Sequence, residues 1–278
     1  MNLLPLAFLA TLAHTLWLAV EWGPAGQQPL VGNLHYLAAI EFSAAAAVQT
    51  ALRHRGRGAV FASAILAAVV AEGLLIWLET GPPAPRATEW AAEGFYYLSY
   101  FLIGVSMLRY SRRRRRAYNR LGHRSLLDSL VVTLLVAGGL WELFLSEVFL
   151  QSALPLWERT VQLGYPAADL LLLGILWTLL NAESRPAPAL LVAGAGLLAY
   201  LAGDILYSYQ VLYGAYLPGQ WLDLTWTWGT LALVLSTRML LEKPQPPPRK
   251  PGAARDRNSP ALPGWAGGLL AATDGAAA

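Results

Sequence analysis

Arginine occupies every position from 112 to 116, and a mostly apolar run of about twenty residues lies on either side. A hydrocarbon core of ~30 Å needs about that many apolar residues to be crossed as a helix. Loops rich in Lys and Arg stay on the cytoplasmic side. This juxtaposition sets both the class of fold and its orientation. Composition agrees: 56% of the 278 residues are hydrophobic and 13% charged, where a soluble domain is about a quarter charged. The expectation is an all-α, polytopic membrane helix bundle.

Eight apolar segments are predicted as spans: residues 2–20, 31–52, 58–79, 88–110, 125–145, 160–181, 188–210 and 221–241. Turn chemistry separates them, as in Trp22-Gly23-Pro24, Gly81-Pro82-Pro83 and Leu217-Pro218-Gly219. The first run has no basic segment before it, so it reads as an uncleaved span rather than a signal peptide. Of the twenty Lys and Arg residues, all but Arg86 and Arg159 then fall on one side. Both termini are thereby predicted to be cytoplasmic. The arginine run reads as a topology determinant that also touches anionic lipid, and no nucleic-acid partner is expected. Membrane lipids, a second copy of the chain, or a separate cytoplasmic signalling protein are the macromolecular partners this arrangement suits. Residues 242–278, rich in Pro, Gly and Ala, cannot bury enough apolar surface to fold and are expected to be disordered.

The preference for arginine over lysine (only Lys243 and Lys250 are lysines), with abundant Ala, Gly and Pro, resembles high-GC bacterial coding bias. The bacterial cytoplasmic (inner) membrane is the expected location. The absence of cysteine excludes disulfide and thiol chemistry. No predicted span contains a lysine, which excludes a retinal Schiff base. Neither H-E-x-x-H nor G-x-S-x-G occurs. Two histidines on different spans, His14 and His35, make no zinc pattern. No catalytic set, metal site or cofactor is expected.

Acidic residues inside the spans are the main functional signal, because a carboxylate at the bilayer centre costs about 2.5–3.5 kcal/mol on insertion scales. At 1.5 Å per residue, Glu72 and Asp204 lie about 10 Å from the outer end of their spans, and Glu41 and Asp169 about 15 Å. Glu93 and Asp223 lie nearer the outer surface. Asp169, Asp204, Glu93 and Asp223 each share a helix face with an aromatic ring three or four residues away. Tyr165 precedes Asp169, Tyr200 and Tyr207 flank Asp204, Trp90 and Tyr97 flank Glu93, and Trp226 follows Asp223. With no basic residue nearby, two readings stand. The carboxyls hold helices together as neutral, hydrogen-bonded groups, or they line an outer-half pocket for a small ligand or a proton. In the second reading the binding residues are Asp169, Asp204, Asp223, Tyr165, Tyr207, Trp226, Glu41, Glu72 and Glu93. His14 and His35 are then the titratable partners.

The acids also align between halves. By order, Glu41 corresponds to Asp169, Glu72 to Asp204 and Glu93 to Asp223, and Trp90-Ala91-Ala92-Glu93 parallels Trp221-Leu222-Asp223. A 4+4 parallel repeat of residues 1–110 and 125–241 is the corresponding expectation. Such repeats occur in transporters, which makes a transporter or channel the alternative to a sensor. A structural membrane subunit without a ligand is the third reading.

From the arginine loop onward, the chain carries Leu126-Leu127-Asp128, Trp141, Tyr165-Pro166-Ala167-Ala168-Asp169, Gly203-Asp204-Ile205-Leu206-Tyr207, Pro218-Gly219 and Asp223-Leu224-Thr225-Trp226. In order and spacing this resembles the multi-span membrane sensory region of bacterial GGDEF/EAL-type proteins and sensor kinases. The resemblance implies an input module that passes a signal through the last span to a cytoplasmic output domain. After Leu241 only the Pro-rich tail follows, so the resemblance points to a standalone membrane component or a truncated gene.

Overall fold

The computed structural model describes residues 2–20, 28–115, 123–151, 155–181, 187–213, 216 and 220–242. Among these, every regular element is helical. The helices are α1 (Leu4–Val20), α2 (Gln28–Arg53), α3 (Ala59–Thr80), α4 (Arg86–Arg115), α5 (His123–Leu140), α6 (Ser146–Gln151), α7 (Leu156–Asn181), α8 (Pro188–Leu212) and α9 (Asp223–Glu242). A five-residue π turn, Trp141–Leu145, joins α5 to α6 without a break. The expected disordered tail and the Leu217-Pro218-Gly219 turn lie outside the described residues.

Among the described residues, four stretches are long and apolar enough to cross a membrane: Ala59–Leu78, Leu127–Gln151, Leu156–Asn181 and Pro188–Val211. The chain is an all-helical protein of membrane type. Helix α1 is apolar but shorter. The other predicted spans, on α2, α4 and α9, are more polar, and their position explains why. Helices α2, α3, α4, α7, α8 and α9 pack in a closed ring, each against the next, with α9 returning to α2. Helix α1 lies against α2 and α9, and the α5–α6 rod lies outside α7. Helices in such a ring can turn polar side chains inward and keep only their outer faces apolar.

The outer faces are apolar accordingly. Leu34, Phe42, Leu98, Phe101, Leu171, Leu198 and most of α5 are exposed, whereas Asp169, Asp204, Asp223, Thr227 and Ser236 are buried. This polarity, apolar outside and polar inside, suits a solvent of lipid tails and not water. Polar side chains also tie the helices together. Ser236 Oγ donates to the Ala189 carbonyl at 2.7 Å, Trp228 Nε1 to Thr15 Oγ1 at 3.0 Å, and Thr178 Oγ1 to Ser129 Oγ at 2.7 Å. The two basic residues that depart from the charge bias have local partners. Arg86 pairs with Glu158 at 3.6 Å and lies over the Trp157 ring, and Arg159 Nη1 donates to the Phe149 carbonyl at 2.9 Å.

Small residues allow α8 and α9 to approach closely. A Cβ built at Gly196 meets the Gly229 carbonyl oxygen at 2.9 Å, with Ala232 and Leu233 just beyond, whereas one at Gly138 meets nothing within 4 Å. Gly196→Ala is therefore expected to destabilise the protein by about 1–3 kcal/mol. Gly138→Ala should leave stability equal or slightly raised. Thermal unfolding of the two variants in detergent checks the difference.

Candidate functional site

All six helices of the ring contribute to a cavity of about 200 Å³, in the half of the bundle away from Arg57 and Arg109. Its wall holds five carboxylates, those of Glu72, Glu93, Asp169, Asp204 and Asp223, together with seven tyrosines and Trp226. Among the described residues, no Lys, Arg or His lines it. Its apolar surface comes from side chains such as Ile40, Leu75, Ile103, Leu172 and Leu233.

Most of the carboxylates are held by aromatic donors from another helix of the ring. Tyr36 Oη donates to Glu72 Oε1 at 2.5 Å, and Tyr96 reaches the same carboxylate. Tyr165 Oη donates to Glu93. Asp204 accepts from Tyr100 Oη at 2.7 Å and from Trp226 Nε1 at 2.8 Å. These bonds link α2 to α3, α7 to α4, and both α4 and α9 to α8, so the cavity wall is also the polar frame of the bundle. Asp169 differs. It is fully buried beside Asp204 and Tyr100, yet neither of its oxygens has a well-formed hydrogen bond among the described residues. One turn earlier, Pro166 inside α7 has no N–H to give the carbonyl of residue 162, so the helix is locally underbonded next to the cavity.

The tyrosine rings pack on one another. Tyr165 stacks on Tyr97 with centroids 5.2 Å apart, and Tyr100 meets Tyr165 at 6.1 Å and Tyr200 at 6.3 Å. Tyr207 meets Trp226 edge-on at 5.9 Å. Tyr200 and Thr230 share a hydrogen bond of 2.6 Å. With their hydroxyls directed to fixed partners, the rings can offer their faces to the cavity.

The lining also falls into two sets of equal spacing. Asn33, Tyr36 and Ile40 on α2 have the same separations as Gln162, Tyr165 and Asp169 on α7. Glu93, Tyr96 and Ile103 on α4 have those of Asp223, Trp226 and Leu233 on α9. Glu72 on α3 and Asp204 on α8 complete the sets.

No family model, no curated protein and no solved structure matches the chain.

Of the nine side chains expected from the sequence, the structure brings eight to this one cavity: Glu72, Glu93, Asp169, Asp204, Asp223, Tyr165, Tyr207 and Trp226. Glu41 is the exception. It is exposed on the outside of α2, and its neighbour Ile40 holds the register that matches Asp169. A one-residue step turns a helical side chain by about 100°, enough to exchange the inner face for the outer. The histidines are a second correction. His14 is buried against Tyr36 with centroids 6.1 Å apart, His35 packs on Trp17 at 5.3 Å, and neither lines the cavity. Tyr36, Tyr96 and Tyr100 were missed. The signal for the last two was present in Glu93-x-x-Tyr96-x-x-x-Tyr100, a single helix face.

If Tyr100 and Trp226 hold Asp204 as described, Tyr100→Phe leaves a buried carboxylate short of a donor. A loss of about 1–3 kcal/mol is expected. Removing both donors, with Trp226→Phe as well, should cost more than either change alone, as measured by unfolding in mixed detergent micelles.

Proposed function

We propose that this chain is an eight-span membrane sensor of the input-module type, which binds a small ligand in the central acid–tyrosine cavity. The single observation that carries this reading is the cavity itself. Charged and polar groups from six helices meet there, inside a shell whose outer face is apolar. A cavity of about 200 Å³ is far larger than the roughly 10–15 Å³ that one water molecule requires. The motifs shared with the sensory regions of GGDEF/EAL-type proteins and sensor kinases supply much of its wall, namely Tyr165, Asp169, Asp204, Tyr207, Asp223 and Trp226.

Helix α9 is the route from binding to signal. Its first turn gives the cavity Asp223 and Trp226, and its middle packs in the core through Leu231, Leu233 and Val234. Its far end holds Arg238, which donates to Glu242 and to Asn2. A ligand that disturbs the Trp226–Asp204 bond would displace α9 as a rod. The partner that reads the displacement is a cytoplasmic signalling protein or a second copy of the chain.

In this reading both termini are cytoplasmic and the membrane is the bacterial inner membrane. The chain has no cysteine, so single cysteines report sidedness without a background. In intact cells a membrane-impermeant maleimide should label Arg86→Cys and spare Arg55→Cys; the reverse pattern would refute the orientation. For the cavity, Ala68→Phe should fill the space while the protein still folds. A ligand at a hundred times its Kd stabilises the wild type by about 2.7 kcal/mol, and this gain should vanish in Ala68→Phe.

A second reading, a transporter built as a 4+4 parallel repeat, is favoured by one further observation. A second cavity of about 160 Å³, with Arg57 and Arg109 in its wall, lies toward the other end of the bundle. It shares two wall residues with the first, Ile103 and Leu233. These hold equal positions on α4 and α9, ten residues after Glu93 and Asp223 respectively. Two apolar side chains between two cavities form a barrier that a transporter would open. Flux of the stabilising ligand into proteoliposomes, increased by Ile103→Ala with Leu233→Ala, supports transport. Binding without flux supports the sensor.

A further inference from the structure

Resting on the cavity reading above, we infer that the ligand is a small organic monocation. It is a protonated amine with an apolar body, whose N–H groups donate to Asp169.

The wall excludes most alternatives. An anion would meet five carboxylates and no cationic side chain, and a buried charge without a counter-charge is strongly unfavourable. A multidentate metal ion needs convergent ligands, and no group of three His, Cys, Asp or Glu side chains converges among the described residues. The acids are spread around the wall instead. Glu72, Glu93 and Asp204 already accept hydrogen bonds from tyrosine or tryptophan on other helices of the ring. Asp169 lines the cavity, fully buried, and neither of its oxygens has a well-formed hydrogen bond among the described residues, its nearest polar groups being Asp204 and Tyr100. One such carboxylate calls for one donor that also carries positive charge. A polyamine would require several.

The neighbourhood of Asp169 fits that choice. Asp204 lies beside it, so a cation between them offsets their mutual repulsion. The rings of Tyr100, Tyr165 and Tyr200 cluster in the same wall, and ring faces attract alkylated ammonium groups. Ile40, Leu172 and Leu197 provide apolar contact for the body of the molecule. An uncharged alcohol could satisfy one oxygen of Asp169 but would not offset the repulsion between Asp169 and Asp204.

The test uses the full-length protein in detergent and three matched series of probes. These are alkyl ammonium salts from methylammonium to cyclohexylammonium, the corresponding alcohols, and the corresponding carboxylates. Amines are expected to raise the melting temperature saturably, while alcohols and carboxylates do not. Asp169→Asn should weaken the amine response roughly tenfold or more, and Asp169→Glu should retain part of it. Asn also removes the repulsion with Asp204, so ligand-free Asp169→Asn should melt no lower than the wild type, which separates lost binding from lost folding. Equal stabilisation by alcohols or carboxylates would overturn the charge assignment while leaving the cavity as a ligand site. An undiminished amine response in Asp169→Asn would overturn the role of Asp169. No response to any amine in the series would overturn the ligand class.

Discussion

A carboxylate carried into a bilayer can be solvated only by the protein around it. That constraint organises this structure. Lipid tails offer no hydrogen bonds, so Glu72, Glu93, Asp169, Asp204 and Asp223 turn inward, and Glu72, Glu93 and Asp204 find donors on other helices. Tyr36, Tyr165, Tyr100 and Trp226 meet the requirement across helix boundaries. The ring of α2, α3, α4, α7, α8 and α9 is the arrangement in which six polar faces share one interior. A chain that merely needed helix contacts could pack on small residues alone, as α8 and α9 do at Gly196 and Gly229. The surplus of acids and tyrosines therefore points to a task for the cavity.

The same constraint explains which helices resemble membrane spans and which do not. The α5–α6 rod is the least buried of the apolar spans and lies outside the ring, where lipid surrounds it. Helix α9 sits between α8, α2 and α1, so it can carry Asp223, Thr227, Thr230 and Ser236 on buried positions without cost from lipid. Its hydropathy is low because its surroundings are protein. Among the ring helices, α3, α7 and α8 keep spanning hydropathy while α2, α4 and α9 do not, so hydropathy alone does not separate the helices that build the cavity from the rest.

Much of this was legible in the sequence, and the limits have physical causes. The all-helical class followed from apolar runs of spanning length, and the acid–aromatic spacing named eight side chains that do share one cavity. Glu41 misled because matching acids by order ignores register: a single position separates the cavity-lining Ile40 from the outward Glu41. His14 and His35 were assigned to the site from depth alone, although His14 on the outer helix α1 packs behind Tyr36 and His35 packs on Trp17, also on α1. The tyrosines of α2 and α4 were missed because aromatic residues near helix ends also form interfacial belts. Only the packing of α4 against α7 and α3 shows that Tyr96 and Tyr100 point inward.

The central claim is that the cavity holds a small molecule against Asp169. The most direct measurement is an experimental density map of the protein purified from its own membrane, at a resolution that shows ordered small molecules. The account requires density within hydrogen-bonding distance of Asp169, between Tyr100 and the aliphatic wall formed by Ile40 and Leu172. A closed interior, with both Asp169 oxygens bonded to protein groups and no space between the six helices, would contradict it.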